Sequence, residues 1–276
     1  DRTNYIEVFP KDALEKAIWA ESDRMGFFIN TVITPNFERE KQIVKNEKRQ
    51  GVDNNPYGHT NYVISKNLYP PEHPYSWQVI GSLEDLQRAT LDDVKNFFDK
   101  WYGPNNATLV IAGDLDVEVT KGYVEKYFGE IKPRGTITPL YEEPVVLKET
   151  KKFYHEDTFA RLPRITMTWP TVKLFERDYY ALNALGQLLS RGKKSPFYKV
   201  LVEEKKMTSN VSVGNGGSEL GGQFTVSIQG FPGTDLDDIE AGINESFERF
   251  ETVGVTEKDL SRIKTRQETG FYNSLS

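Results

Sequence analysis

The apolar residues of this chain occur either at helical spacing or in runs no longer than a strand, and this limits it to a globular fold that mixes both elements. The segment Lys11 to Met25 is typical of the helical pattern, since polar residues separate Leu14, Ile18 and Trp19. Ala107 to Gly113 is an example of the longest uncharged apolar runs in the chain. Such runs are too short to cross a bilayer, which requires about 20 residues. We therefore expect no membrane span.

Helix boundaries follow from capping residues. Gly26 is placed to end the first helix, and Thr34-Pro35 predicts the start of the second, with Thr34 as N-cap and Pro35 at the first position. Thr90 is expected to cap a later helix whose first turn is acidic. The predicted helices cover residues 11–25, 34–51, 60–68, 90–101, 116–128, 175–189, 196–204, 235–250 and 256–271.

Strands are predicted where apolar or β-branched residues form short runs, at 1–6, 107–113, 164–169, 208–213 and 223–229. The glycine-rich stretch Gly214 to Gly222 lies between the last two of these. It lacks the Lys-Ser/Thr pair and the following helix of a phosphate-binding loop. We interpret it as a flexible hairpin connection.

The chain of 276 residues is predicted to hold two related domains, 1–134 and 145–276, joined by a proline-containing linker at 131–144. A helix followed by a threonine-capped charged helix occurs in both halves. The fold class is therefore α+β, with each domain a mostly antiparallel sheet covered by helices. The first residues are expected to lie within a strand and the last within a helix. We thus expect the first domain to lack an N-terminal part and the second a C-terminal part.

Charge and cysteine content exclude several functions. The net charge of -6 and the absence of a basic block argue against a nucleic-acid partner. Without cysteine, the chain has no disulfide, no cysteine-ligated zinc and no thiol nucleophile. A cysteine-free composition fits the cytosol and the periplasm equally well.

Two acidic residues on the second predicted helix could carry chemistry. Glu40 and Glu47 are seven residues apart, so both lie on one face, about 10 Å apart along the axis. A helical carboxylate is a good zinc ligand, and a second acid can support the metal-bound groups. The helix is rich in charge throughout, however, and a solvated face of ion pairs explains the same pattern.

The three histidines show no metal-binding spacing. His59 follows a glycine in a turn, His73 lies in a loop between prolines, and His155 lies in a charged stretch. None has another histidine three or four residues away on a predicted helix. Packing or hydrogen bonding is therefore the favoured role for them, and metal ligation or general base catalysis is the alternative.

Several segments in this order resemble the M16 family of zinc metallopeptidases, the pitrilysin, insulinase and processing-peptidase group. The resemblance spans essentially the whole chain. It is carried by Asp1 to Tyr5, Ala20 to Gly26, Glu40 to Gln50, Tyr102 to Asp114 and Ser195 to Glu204.

This resemblance implies that Glu47 is the third zinc ligand and that Glu40 supports it. The inverted motif H-x-x-E-H, which supplies two histidine ligands and the general base, is absent here. Family spacing would place it roughly thirty residues before Asp1. The chain alone should then hold no catalytic residue, and zinc is expected only in the full-length protein. The family's substrate-binding Arg and Tyr fall on Val202 and Ser209, which cannot replace them.

The resemblance also implies partners. Substrates would be peptides bound as an added strand at a sheet edge, in a chamber closed by a second M16-like half or by a homo-oligomer. Residues 1–6 would lie in the sheet beside that edge. Two alternatives stay open: a non-catalytic M16-like subunit that binds a partner or shapes the chamber, and an unrelated α+β binding module. Bacterial members are often exported, so the periplasm is one expected location.

Overall fold

The computed structural model describes residues 2–141 and 144–275, and the predicted strand at 1–6 therefore begins outside the described residues. Within these ranges the chain forms nine α-helices and three β-strands. The helices are α1 (Leu14–Gly26), α2 (Thr34–Lys48), α3 (Thr60–Leu68), α4 (Leu83–Arg88), α5 (Leu91–Trp101), α6 (Val117–Phe128), α7 (Arg177–Ser190), α8 (Leu236–Val253) and α9 (Glu257–Ser274). The strands are β1 (Arg164–Thr171), β2 (Ser212–Gly217) and β3 (Gly222–Gln229). The α+β class is confirmed.

The helix starts depend on side-chain caps, as the sequence predicts. Thr90 caps α5 in a reciprocal capping box with Asp93, and Thr256 caps α9 in the same way with Asp259. The prediction for α2 is wrong by one residue. Thr34 is already helical there, and Ile33 occupies the N-cap without a side-chain hydrogen bond. The predicted helix at 196–204 forms a π-helical segment, Tyr198–Glu204.

Two compact units divide the described residues. One contains Asn54–Trp77 and the described residues from Tyr141 onward, and the other contains Arg2–Asp53 and Gln78–Leu140. We call them the sheet unit and the helical unit, since all three described strands lie in the first. The proposed division into related domains at 1–134 and 145–276 stays a prediction.

The sheet unit is built around its central strand. β3 pairs antiparallel with β1 on one side and with β2 on the other. Phe224, Val226 and Ile228 alternate along β3 and are almost completely buried. They form one core with the helices, to which α7 contributes Leu189, the π-helical segment Leu201, and α8 Ile239 and Ile243.

A segment from the first half of the chain completes the sheet unit. The phenol of Tyr69 accepts a hydrogen bond from Gln223 Nε2 at 3.1 Å, and Tyr75 Oη accepts one from the Leu220 N–H at 3.1 Å. Burial raises the pKa of the Tyr69 phenol. His73 stacks on the Tyr69 ring with 4.6 Å between centroids. These contacts attach residues 54–77 to the β2–β3 hairpin.

The helical unit has a much smaller apolar core. Its buried apolar residues among those described are Ile18, Phe98 and Ile131. α1 packs on α6, and Arg134 Nη2 donates to the Gly26 carbonyl at 2.7 Å. None of the described helices in either unit combines the length and the apolarity that a bilayer crossing requires.

Two strand predictions for this unit are wrong. The described residues of 1–6, and residues 107–113, form no strand, and apolar side chains there are strongly exposed, such as Ile6 at 82% and Val110 at 79%. An extended segment becomes a strand only where a neighbour accepts its backbone hydrogen bonds. The described strands pair with one another, and none of them pairs with either segment. The prediction that residues 1–6 belong to a sheet is corrected accordingly.

The prediction for the first strand of the hairpin is also shifted. Residues 208–211 lie outside the strand, whereas Gly214 to Gly217 belong to β2 instead of forming a flexible connection. The strand follows its partner, since Ser212 to Gly217 pair with Gly222 to Ser227 of β3, and α7 packs closely on it. A Cβ atom on Gly186 of α7 would lie 3.0 Å from the Gly214 Cα and 3.3 Å from the Val213 carbonyl oxygen. Glycine on both sides lets α7 pack directly on β2.

This approach predicts a stability difference between two helical glycines. Gly186→Leu should lower the free energy of unfolding of the sheet unit by about 2 kcal/mol or more, because backbone on β2 cannot move aside as a side chain can. At Gly122 on α6, a Cβ atom would meet no atom within 4 Å, so the matched variant Gly122→Leu should be neutral or stabilising by up to about 1 kcal/mol. Urea unfolding of both variants measures this. Equal losses would contradict the packing described.

Candidate functional site

Helix α2 carries the predicted metal-site carboxylates, and a buried lysine fixes its position. Lys41 Nζ donates to the backbone carbonyl oxygens of Gln87 and Ala89, at 3.4 and 3.1 Å. Both carbonyls lie at the C-terminal end of α4, where the helix dipole favours a cation. Glu38 also contacts the Lys41 ammonium at 3.1 Å. The lysine face of α2 therefore packs on α4.

The opposite face of α2 is exposed, and it holds Glu40 and Glu47. The Glu40 side chain is 60% exposed, with Oε1 3.5 Å from Arg39 Nε. Glu47 is exposed and makes no ion pair with any of the described residues. Ile43, which lies between them on this face, is 41% exposed. The two carboxylates thus share one accessible helix face, as their spacing predicts.

The sequence pattern did not predict that two lysines of this helix are buried. A solvated face of ion pairs describes α2 only in part, because Lys41 and Lys45 are 8% and 5% exposed. Lysine is rarely buried to this extent. One signal in the sequence could have indicated this burial. Helical spacing places Lys41, Lys45 and Lys48 on the same face of the helix as the apolar Phe37. Nothing in the local sequence indicated that α4 would cover them.

The donors do not assemble into a zinc site. Across residues 2–141 and 144–275, no group of three or more His, Asp or Glu side chains could hold a metal ion. A structural or catalytic zinc site needs at least three protein ligands. This chain therefore offers Glu47 as one candidate ligand, and the donor set does not fit zinc by itself. The role of Glu47 as a ligand, and that of Glu40 as its support, stay predictions.

All three histidines belong to the sheet unit. His73 is 2% exposed, and its Nδ1 accepts the Tyr75 N–H at 3.0 Å, so it is a packing and hydrogen-bonding residue. His59 and His155 face each other with 5.7 Å between ring centroids. No sequence signal predicts this pair, because 95 residues separate them in the chain.

Asp157 anchors the loop beside this histidine pair. Its carboxylate accepts the backbone N–H groups of Tyr57 at 2.6 Å, Phe159 at 2.8 Å and Ala160 at 2.9 Å. The bond from Phe159 contributes most to lowering the pKa of this carboxyl, and His155 adds a smaller effect. Tyr57 has a φ of 60°, which is uncommon for a residue with a side chain. The carboxylate therefore stabilises a strained turn.

The positions that match the family's substrate-binding pair have other roles. Val202 packs against the core of the sheet unit, and Ser209 is exposed. Neither carries a group that could bind a peptide carboxylate or carbonyl in the way arginine and tyrosine do.

Comparison with known proteins gives one family. Residues 88–267 match the family model described as "Peptidase M16 inactive domain". The zinc protease PqqE of Helicobacter pylori is 26% identical, covering all of this chain and 62% of its own length. The uncharacterized zinc protease YmxG of Bacillus subtilis is 23% identical, covering 90% of this chain and 59% of its own length. The chain thus spans about three fifths of these relatives.

Solved structures agree with this family. The structure of a protease from Helicobacter pylori has a TM-score of 0.79 at 25% identity, covering 95% of this chain and 63% of the other. The peptidase M16 inactive domain from Pseudomonas fluorescens has a TM-score of 0.76 at 18% identity, covering 94% of this chain and 61% of the other. Because the Pseudomonas fluorescens domain is only 18% identical, its similarity to this chain shows a shared fold and nothing more.

The Asp157 contacts predict a pH dependence of the loop. Because the folded-state pKa lies below the ordinary aspartate value near 3.9, the stabilisation is complete above that value and is lost as the pH falls through the lower folded pKa. NMR titration of the Tyr57 and Ala160 amides should therefore give a midpoint below about 3.9. Asp157→Asn should remove the transition. An unchanged transition in the variant would exclude Asp157 as the titrating acceptor.

Proposed function

This chain belongs to the M16 peptidase family, and we propose that it is part of a zinc-dependent metalloendopeptidase to which it contributes one metal ligand, Glu47. The observation that carries the proposal is the accessible face of α2. That face presents Glu47 and Glu40 together, while the opposite face is fixed to α4 through Lys41. A carboxylate held on a positioned helix can receive a metal that other ligands bring to it.

The remaining parts of such a site lie outside these 276 residues. The sequence contains no H-x-x-E-H motif, so it lacks two histidine ligands and the glutamate base. We therefore propose that this chain alone cleaves no peptide. The relatives named zinc proteases are longer, which is compatible with a complete site in the full-length protein. Peptides are the proposed substrates.

A second candidate function is a non-catalytic half that binds a partner or shapes a peptide chamber. It is favoured by the family model itself, which describes an inactive domain, and by the loss of the Arg and Tyr pair at Val202 and Ser209. A second M16-like half or a second copy of the chain would then be the partner. A periplasmic location stays a prediction in both cases.

Zinc analysis separates the two functions. The longest natural product of this gene should contain about one zinc per chain, and Glu47→Gln should remove it, since a carboxamide binds zinc poorly. Glu40→Gln should weaken zinc affinity by about 10- to 100-fold, as expected for a residue that supports a ligand. The 276-residue chain itself should bind no zinc tightly.

The control is Glu130→Gln, which removes an exposed carboxylate elsewhere in the helical unit and should leave the zinc content unchanged. Metal content measured by mass spectrometry, together with cleavage of a generic peptide library, reports both properties. Absence of zinc from the unmodified natural product would reject the peptidase proposal and leave the non-catalytic half.

A further inference from the structure

A groove in the helical unit lies on the lysine side of α2, away from the face that presents Glu47. It has a volume of about 540 Å³ and opens to solvent between the end of α2 and the short helix α4. Its lining residues are Lys45, Arg49, Leu83, Glu84, Gln87 and Arg88. Three of these six side chains are cationic and one is anionic.

The ammonium of Lys45 is buried, and among the described residues no carboxylate forms an ion pair with it. Lys45 is 5% exposed, and among the described residues its Nζ donates a single hydrogen bond, to the neutral Gln87 Oε1. An ammonium has three N–H donors. A buried cation without an ionic partner is unfavourable unless other groups compensate it. Two of the three N–H donors of Lys45 therefore have no acceptor among the described residues, at a position that lines the groove.

Lys41, one turn earlier, shows what compensation looks like on the same helix. Its ammonium contacts two carbonyl oxygens and the Glu38 carboxylate, so that three acceptors surround it. Around Lys45, the carboxamide of Gln87 is the one acceptor in the part of the chain that the structure describes. The difference between the two lysines is local, since both lie against α4.

Among the other charged groups of the groove, Arg49 adds positive charge, whereas the charge of Arg88 is balanced within its own helix. Arg49 Nη1 bonds to the neutral Asn46 Oδ1 at 3.1 Å, so its charge is not balanced by that contact. Arg88 pairs with Asp85 at 2.5 Å. Glu84 is the one carboxylate among the lining residues, and no ion pair joins it to Lys45 or to either arginine in the described part of the chain. The groove therefore favours a negatively charged occupant.

We propose that this groove binds a small oxyanion, a phosphate or a carboxylate, with Lys45 as its principal ligand. The ammonium would contribute its two remaining donors and its charge. Guanidinium groups from Arg49 and Arg88 at the rim suit the planar spacing of phosphate and carboxylate oxygens. This site is distinct from the α2 face that carries Glu40 and Glu47.

Anion titration of the 276-residue chain tests the proposal. Inorganic phosphate and acetate are titrated separately at constant ionic strength, with binding followed by isothermal calorimetry and by NMR shifts of α2 and α4. We expect saturable binding to one site. Tighter binding of phosphate identifies a phosphate-type ligand, and tighter binding of acetate a carboxylate. Absence of saturation with both anions would overturn the proposal.

Variants distinguish the groove from general surface charge. Lys45→Met should weaken the preferred anion by about tenfold or more, the effect of one charge-assisted hydrogen bond. The control Lys121→Met removes a 64% exposed lysine of the same unit and should leave the affinity unchanged. Equal affinities in wild type and Lys45→Met would overturn the assignment.

A third variant keeps the test valid if Lys45→Met fails to fold. Glu84→Gln removes the carboxylate that opposes an anion in the groove, and it lies on an exposed helix surface where folding tolerates substitution. Affinity for the preferred anion should rise by about threefold to tenfold, as expected for removing one nearby like charge. An unchanged or lower affinity would place the anion elsewhere and reject the groove.

Discussion

Backbone hydrogen bonding between strands is the constraint on which the rest of this structure depends. β3 has a partner on each side, and its alternating side chains can therefore form one face of a core with α7 and α8. In the helical unit, the segments at 2–6 and 107–113 pair with no described strand, and they carry exposed apolar side chains. The units consequently differ in their apolar cores. The sheet unit has a continuous cluster, whereas the helical unit relies on a few buried residues and on polar contacts between helices.

The sequence was sufficient for features that depend on neighbours along the chain. Helical spacing and the capping threonines Thr90 and Thr256 predicted the bounds of most helices to within a few residues. Capping bonds are predictable because they join positions only three residues apart. Features that depend on distant residues were not predictable in this way. The strand shift around Gly214 follows from pairing with β3, and the close packing of α7 there requires Gly186, which lies 28 residues earlier. The failed strands follow from missing partners.

In the candidate site, too, some features follow from neighbouring residues in the sequence and others depend on distant ones. That Glu40 and Glu47 share a helix face follows from the helical repeat alone. The direction in which this face points depends on Lys41 and on the carbonyl oxygens at the end of α4, more than 45 residues away in sequence. A charge-rich helix gave no local reason to expect that two of its lysines would be buried. Hydrophobic pattern alone assigns lysine to the surface, and it fails where a helix end supplies acceptors for the ammonium.

One face of α2 therefore carries buried lysines and the opposite face carries exposed carboxylates. Both faces belong to the same helix, so a change at one affects the position of the other. Lys41 is balanced by carbonyl oxygens and by Glu38, so the attachment of α2 to α4 is satisfied within the chain. Lys45 has one neutral acceptor, Gln87, among the described residues. An anion that supplied the missing charge would hold α2 more firmly against α4. Because Glu47 lies two residues beyond Lys45 on the same helix, its carboxylate would then be held in a more defined direction. A metal ligand gains affinity from such fixed orientation, since less conformational freedom is lost when the metal binds.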